Sequence, residues 1–156
     1  MATIDTSGLD EMIRAMERLG QNTEAVASVM LEAGAQDIQS AWKESMEEHR
    51  LRDTGDMIDS VIVAKGAGGA RYRDILPNGK DRKGVRNAEK AFVLHYGRNG
   101  ARKIKATYWL DDAEAQGNVR VENTVNGLWG QYLETGQVPV IPAAGDSAGG
   151  ITKTTK

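Results

Sequence analysis

The sequence predicts an α+β fold: a short N-terminal helix, a long central helix, a small antiparallel sheet with a long basic loop, a C-terminal helix and an extended tail. Three observations carry this. Apolar residues recur every three or four positions in the first third and again after residue 109, the period of one helix face. β-branched residues crowd into Val61–Val63 ahead of Gly66, Gly68 and Gly69, as at the end of a strand. Between the two helical regions lies a polar, glycine-containing stretch with neither period.

Each element has a local reason. In "TSGLDEMIRAMERLG" Thr6 or Ser7 can cap a helix, and Asp10 and Glu11 fall in its first turn, where the helix dipole favours them. Leu9, Met12, Ile13, Met16 and Leu19 share one face, and Gly20 is placed to end the helix. Asn22 or Thr23 then caps a second helix that runs to about Arg50, with Val26, Met30, Ala33, Ile38, Ala41, Trp42 and Met46 as its apolar stripe. At 1.5 Å per residue it is roughly 40 Å long, enough to backbone the fold or reach a partner. "SVIVAKG" reads as the first strand and "AFVLHYG", residues 91–97, as the second. Residues 67–90 between them read as a long loop, in which Pro77-Asn78-Gly79 marks a turn or hairpin tip. Leu110, Ala113, Gly117, Val121, Val125, Leu128 and Tyr132 describe the C-terminal helix, in which glycines 117, 127 and 130 suit a tightly packed interface or a break near Gly117. Residues 1–135 form a single domain in this reading. Residues 136–156 form a flexible tail, with Val138, Val140 and Ile141 available to dock it on a neighbour.

Composition narrows the function. The 156 residues, 40% of them hydrophobic, suffice for one core. Cysteine is absent, which excludes disulfides and thiolate zinc sites and suits a reducing compartment. The N-terminal "MATIDTSGLDEM" lacks the basic start and apolar run of a secretory signal, and no stretch approaches the length of an apolar membrane span. The net charge of −2 conceals a partition. Residues 10–60 carry 12 acidic and 5 basic side chains, a balance of −7, whereas residues 65–105 carry 3 acidic and 12 basic, a balance of +9. Such asymmetry points to assembly between opposite faces or to a polyanion, or else to two solvated surfaces.

Asp53-Thr54-Gly55 matches the signature triplet of aspartic proteases. Such a site needs two carboxylates sharing one proton. Here the triplet occurs once, follows the charged "EEHRLR" in place of a core strand, and precedes another acid, Asp56. Asp53 and Thr54 read better as helix-capping residues, and Gly55 as the point where the chain reverses before "GDMIDS" turns Met57 and Ile58 inward. His49 and His95 are far apart in sequence, and adjacent Asp111 and Asp112 diverge by about 100° on a helix, so a metal cage is not expected. "GAGGARYR" lacks the P-loop lysine. The sequence therefore predicts neither an enzyme nor a cofactor. Trp42, Trp109 and Trp129 lie on helices and suit a core or a subunit interface. Arg71, Arg73, Lys80, Arg82, Lys83 and Arg86 line the loop, followed by Arg98, Arg102, Lys103 and Lys105. Beyond Tyr72 they have no interleaved stacking aromatics, so any nucleic-acid contact would be to phosphate, without sequence choice.

Four segments in order carry a resemblance: "SGLDEMIRAMERLG", "DTGDMIDSVIV", "AFVLHYGR" and "KIKATYWLDDAEA". Over roughly residues 4–135 the chain resembles the neck proteins of long-tailed bacteriophages, the tail-completion, head–tail joining or minor capsid family. The longer basic loop at 70–88 and the glycine-rich tail depart from that pattern. The resemblance implies an α+β structural virion protein, made in the host bacterial cytoplasm. It would form a homo-oligomeric ring of six copies, or else twelve, between head connector and tail. Its partners would be the head-closure or adaptor protein and the tail terminator or tail tube protein, with transient contact to genome DNA in the channel. In this setting Asp53, Thr54, Gly55 and Ser60 shape a structural joint, and Tyr96, Gly97, Tyr108 and Trp109 hold a strand–helix junction. The alternative is a phosphate-backbone nucleic-acid-binding protein; an aspartic protease is a distant third.

Overall fold

A computed structural model describes residues 7–65 and 72–141. Six elements follow one another: α1 Ser7–Glu48, α2 Asp56–Asp59, β1 Val61–Lys65, β2 Arg73–Pro77, α3 Asn87–Tyr96 and α4 Trp109–Thr135. The fold is α+β, with α1 and α4 packed together and a two-stranded antiparallel sheet and two shorter helices gathered at one end.

The predicted break at Gly20 does not occur. α1 is one helix of 42 residues, about 63 Å long at 1.5 Å per residue. Thr23, expected to cap a second helix, instead donates its hydroxyl to the Leu19 carbonyl one turn back, at 2.9 Å. A glycine inside a helix costs only about 1 kcal/mol relative to alanine, which helix packing readily offsets. That packing reaches this level, because the Tyr132 hydroxyl of α4 donates to the same Leu19 carbonyl.

Small residues set how closely α1 and α4 approach. A Cβ at Gly117 would lie 2.9 Å from Ile38 Cδ1, and one at Gly34 would lie 3.3 Å from Val121 Cγ1. Gly117 is therefore the tightly packed contact that the sequence allowed, within a continuous helix, and the alternative break near it does not occur. Polar pairs run along the seam. Arg120 forms a two-pronged ion pair with Glu44, holding the Glu44 carboxyl below its ordinary value chiefly through the hydrogen bond. His49 meets Asp112 at 2.7 Å.

The sheet departs from the predicted pairing. β1 pairs with β2, in register Val61 opposite Pro77 and Lys65 opposite Arg73. β2 lies in what read as loop, and Pro77 closes a strand instead of tipping a hairpin. "AFVLHYG" is helical. An apolar run of four is compatible with either state, and here Asn87, Ala91 and His95 are buried at successive i, i+4 positions. The glycines expected to close β1 lie outside the described residues.

The core gathers Met46, Met57, Ile58, Val61, Ala91, Trp109 and Ala113, to which every element except β2 contributes, and β2 packs half-buried Ile75 against it. Trp42 meets Trp109 edge to face at 5.4 Å. The Trp109 indole donates to the Ala91 carbonyl at 3.2 Å, and the Ser45 hydroxyl donates to the Trp109 carbonyl at 2.6 Å.

Candidate interaction site

The chain reversal after α1 begins with Arg50 at φ 55° and passes through Gly55 at φ 88°. A side chain at Gly55 would be strained by that backbone, and its Cβ would lie 2.6 Å from the Arg52 guanidinium. Gly55 itself is the N-terminal flanking residue of α2, so neither Asp53 nor Thr54 holds the cap position, although the Thr54 hydroxyl oxygen accepts the Asp56 N–H at 3.4 Å. Thr54 also donates to the Asp56 carboxylate at 2.8 Å, and this bond, with Arg82 nearby, lowers the Asp56 pKa. Asp53 is exposed. Ser60 ends α2, donating its hydroxyl to the Met57 carbonyl at 2.7 Å, and Met57 and Ile58 point into the core. Arg52 bridges Glu47 and Asp59, which raises its pKa, and so ties the end of α1 to α2.

Together with α3 this reversal walls a groove of about 570 Å³. Leu51, Met57, Ile58, Val93, Leu94 and Ile104 supply apolar lining, and Arg50, Arg52, Lys90 and Arg98 supply positive charge against the carboxylates of Asp53 and Glu89.

The segment between β2 and α3 is short and built. Asp81 is buried and accepts backbone hydrogen bonds from Lys83 at 2.9 Å and Val85 at 2.8 Å. It also pairs with Lys90, and these bonds, the lysine's first, hold its carboxyl below the usual range. Asn87 donates to the Asn78 carbonyl at 2.8 Å, closing the base of the turn. Sequence reasoning missed Asp81 among its basic neighbours. Its signal is local: an aspartate two residues before the N–H that donates to it, in "DRKG", is an Asx-turn pattern.

The structure divides the expected basic contacts. Arg73 is 10% exposed and pairs with Glu32 of α1 at 2.9 Å, so its charge is spent within the fold. Arg82 pairs with Asp56 at 3.2 Å while remaining largely exposed. Lys80, Lys83 and Arg86 are exposed on the pinned turn. Arg98, Arg102, Lys103 and Lys105 are exposed on a second turn, closed by reciprocal bonds between Arg98 and Ile104 at 2.9 Å. Arg71 lies outside the described residues.

Because 87–96 is a helix, the expected strand–helix junction is a helix–helix junction. Gly97 has φ 77°, and a Cβ there would lie 2.7 Å from the Ile104 carbonyl oxygen and 2.8 Å from the Ala106 nitrogen. Only glycine lets the second basic turn fold back onto α3. Tyr108, at φ 54°, then starts α4 beside buried His95, whose Nδ1 accepts from the Leu110 N–H at 3.3 Å. Phe92 and Tyr96, one turn apart, meet tilted at 4.8 Å, and Tyr108 meets His95 edge to face at 5.8 Å. These three rings are 64%, 59% and 56% exposed. The helical period thus exposes an aromatic cluster beside four cations, a grouping invisible while the segment read as a strand.

Among the described residues no helix is long and apolar enough to cross a membrane. A protein-family model described as "Bacteriophage HK97-gp10, putative tail-component" matches residues 10–136, which span all six elements except the first residues of α1. No curated protein and no solved structure matches the chain.

Proposed function

The chain belongs to the HK97-gp10-like family of bacteriophage tail components, and from that premise we propose that it is the ring-forming subunit that joins head to tail in the phage neck. Membership makes it a structural protein of the phage tail, and so of the virion. The family match carries the reading. The geometry supports the finer role through a surface equipped for contact, with an apolar groove and exposed aromatics bordered by cations.

In this reading the chain is not an enzyme, and Asp53 belongs to a structural reversal. Six copies, with twelve as the second choice, surround the channel through which DNA passes. One face meets the head-closure or adaptor protein and the other the tail terminator or tail tube. Lys80, Lys83 and Arg86 either touch passing phosphate or dock on those partners. Phosphate contact predicts duplex binding that weakens steeply with salt.

The test is genetic and biochemical. A phage lacking this protein should accumulate filled heads and separate full-length tails, and purified chain added to that extract should restore joined particles. Joined, infectious virions assembled without it would overturn the reading.

A further inference from the structure

Two exposed apolar surfaces stand at different stations along α4, and their charges are opposite. The first is the aromatic cluster Phe92, Tyr96 and Tyr108 at the start of α4. The turn beside it, residues 97–108, carries four cations and no carboxylate. The second lies on α4 itself. Val119, Glu122, Asn126, Trp129 and Leu133 are all exposed and fall within an arc of about 80° at 100° per residue. Glu122 lies within that arc and Glu134 about 60° beyond its edge, whereas Asp111, Asp112 and Glu114 sit at the start of α4; the one basic residue of α4, Arg120, is held by Glu44 of the same chain.

An exposed phenylalanine or tryptophan alone needs no explanation; grouped ones bordered by charge mark interaction surfaces. Trp129 lies about 30 Å along a continuous helix from the aromatic end, at 1.5 Å per residue. The two patches of one chain therefore cannot meet each other. They can meet between chains, and apolar area then faces apolar area while the cations of the turn face Glu122.

We infer that the aromatic–basic end of one subunit docks on the Val119–Leu133 face of α4 in a second copy of this chain. The contact is heterologous, one patch against a different patch, so an open assembly retains one free patch of each kind until a ring closes. The inference rests on the ring reading and supplies its subunit contact.

Phe92→Asp disables one patch and Trp129→Asp the other. Both positions are exposed, so the fold should survive, and near-ultraviolet circular dichroism checks this. Sedimentation velocity of the full chain, from micromolar to high micromolar, should show concentration-dependent association that weakens with added salt. Each variant alone should associate at least about tenfold more weakly, as expected for an aromatic hot spot. Mixed, the two variants should form a one-to-one dimer and stop there, because each contributes the patch the other lacks. A wild-type chain that stays monomeric, variants that associate like wild type, or a mixture that remains monomeric would each overturn the contact. The ring reading fails separately, if the wild-type chain does not join heads to tails in the deficient extract.

Discussion

Replacing Gly20 by alanine discriminates by sign between a broken and a continuous α1. If the helix ended at Gly20, the glycine would hold a left-handed conformation, and alanine there would cost about 1–2 kcal/mol. In the structure Gly20 is inside a 42-residue helix, lies outside the set of positive-φ glycines, and would place its Cβ in open space with nothing within 4 Å. Alanine then removes only the entropic penalty of glycine, a gain of about 0.8–1.0 kcal/mol. The two geometries therefore differ by about 2–3 kcal/mol, in opposite directions. Urea unfolding followed by far-ultraviolet circular dichroism reads the difference. For a chain of this size the gain should raise Tm by about 2–4 °C. A loss of stability near 1 kcal/mol would refute the continuous helix and restore two helices with a joint.

Gly97→Ala should cost at least about 2 kcal/mol by the same assay, because a strained backbone is combined with a collision against the Ile104 carbonyl; a change under about 0.5 kcal/mol would contradict the turn described. Trp109→Ala should lose about 3–5 kcal/mol by the same measurement, since it empties the centre of the core and leaves the Ala91 carbonyl without its indole donor. The Asp81 carboxyl is held below its ordinary value of 3.8, so the folded state binds its proton less readily than the unfolded chain. Its stabilisation is present above that ordinary value and disappears as pH falls through the lower folded value. Unfolding measured from pH 6 down to pH 3 should therefore show a shallower acid decline in Asp81→Asn than in wild type, and identical slopes would remove Asp81 as a contributor. Asp53→Asn should change stability by less than about 0.5 kcal/mol, as for an exposed side chain. Peptide cleavage by the wild-type chain that vanished in a folded Asp53→Asn variant would sink the non-enzymatic reading.

The α+β class and the positions of the longest elements were legible because helical periodicity is repeated over many turns in α1 and α4. The α2 turn was legible too, as Met57 and Ile58 form an apolar pair between Asp56 and Asp59. Three features were not. Gly20 carries the usual signature of a helix end, but the decisive contact comes from Tyr132, 113 positions away in sequence. "AFVLHYG" is too short for its period to be read, and its helical state is fixed by burial of Asn87, Ala91 and His95. β2 went unseen because "RDILP" contains a charge pair and a proline and gains its strand character from pairing with β1. The basic residues were legible as a set, but not the division among them. Arg73 is neutralised by Glu32, 41 positions earlier, and no local pattern records that. The aromatic cluster depends on the helical spacing of Phe92 and Tyr96, so it was lost with the strand assignment.

The buried carboxylate of Asp81 also has an entropic consequence. Arg82 and Lys83 ride on a backbone already fixed by the two N–H bonds that Asp81 receives. Seating such a cation on a phosphate or a carboxylate requires ordering of the side chain alone, at a cost of up to about 2 kcal/mol each. On an unpinned loop the backbone of every residue would have to be immobilised as well, at about 1–2 kcal/mol per residue, more than an exposed ion pair returns. One internal acid thus removes in advance the backbone freedom that any contact made through the side chains on this turn would otherwise have to give up.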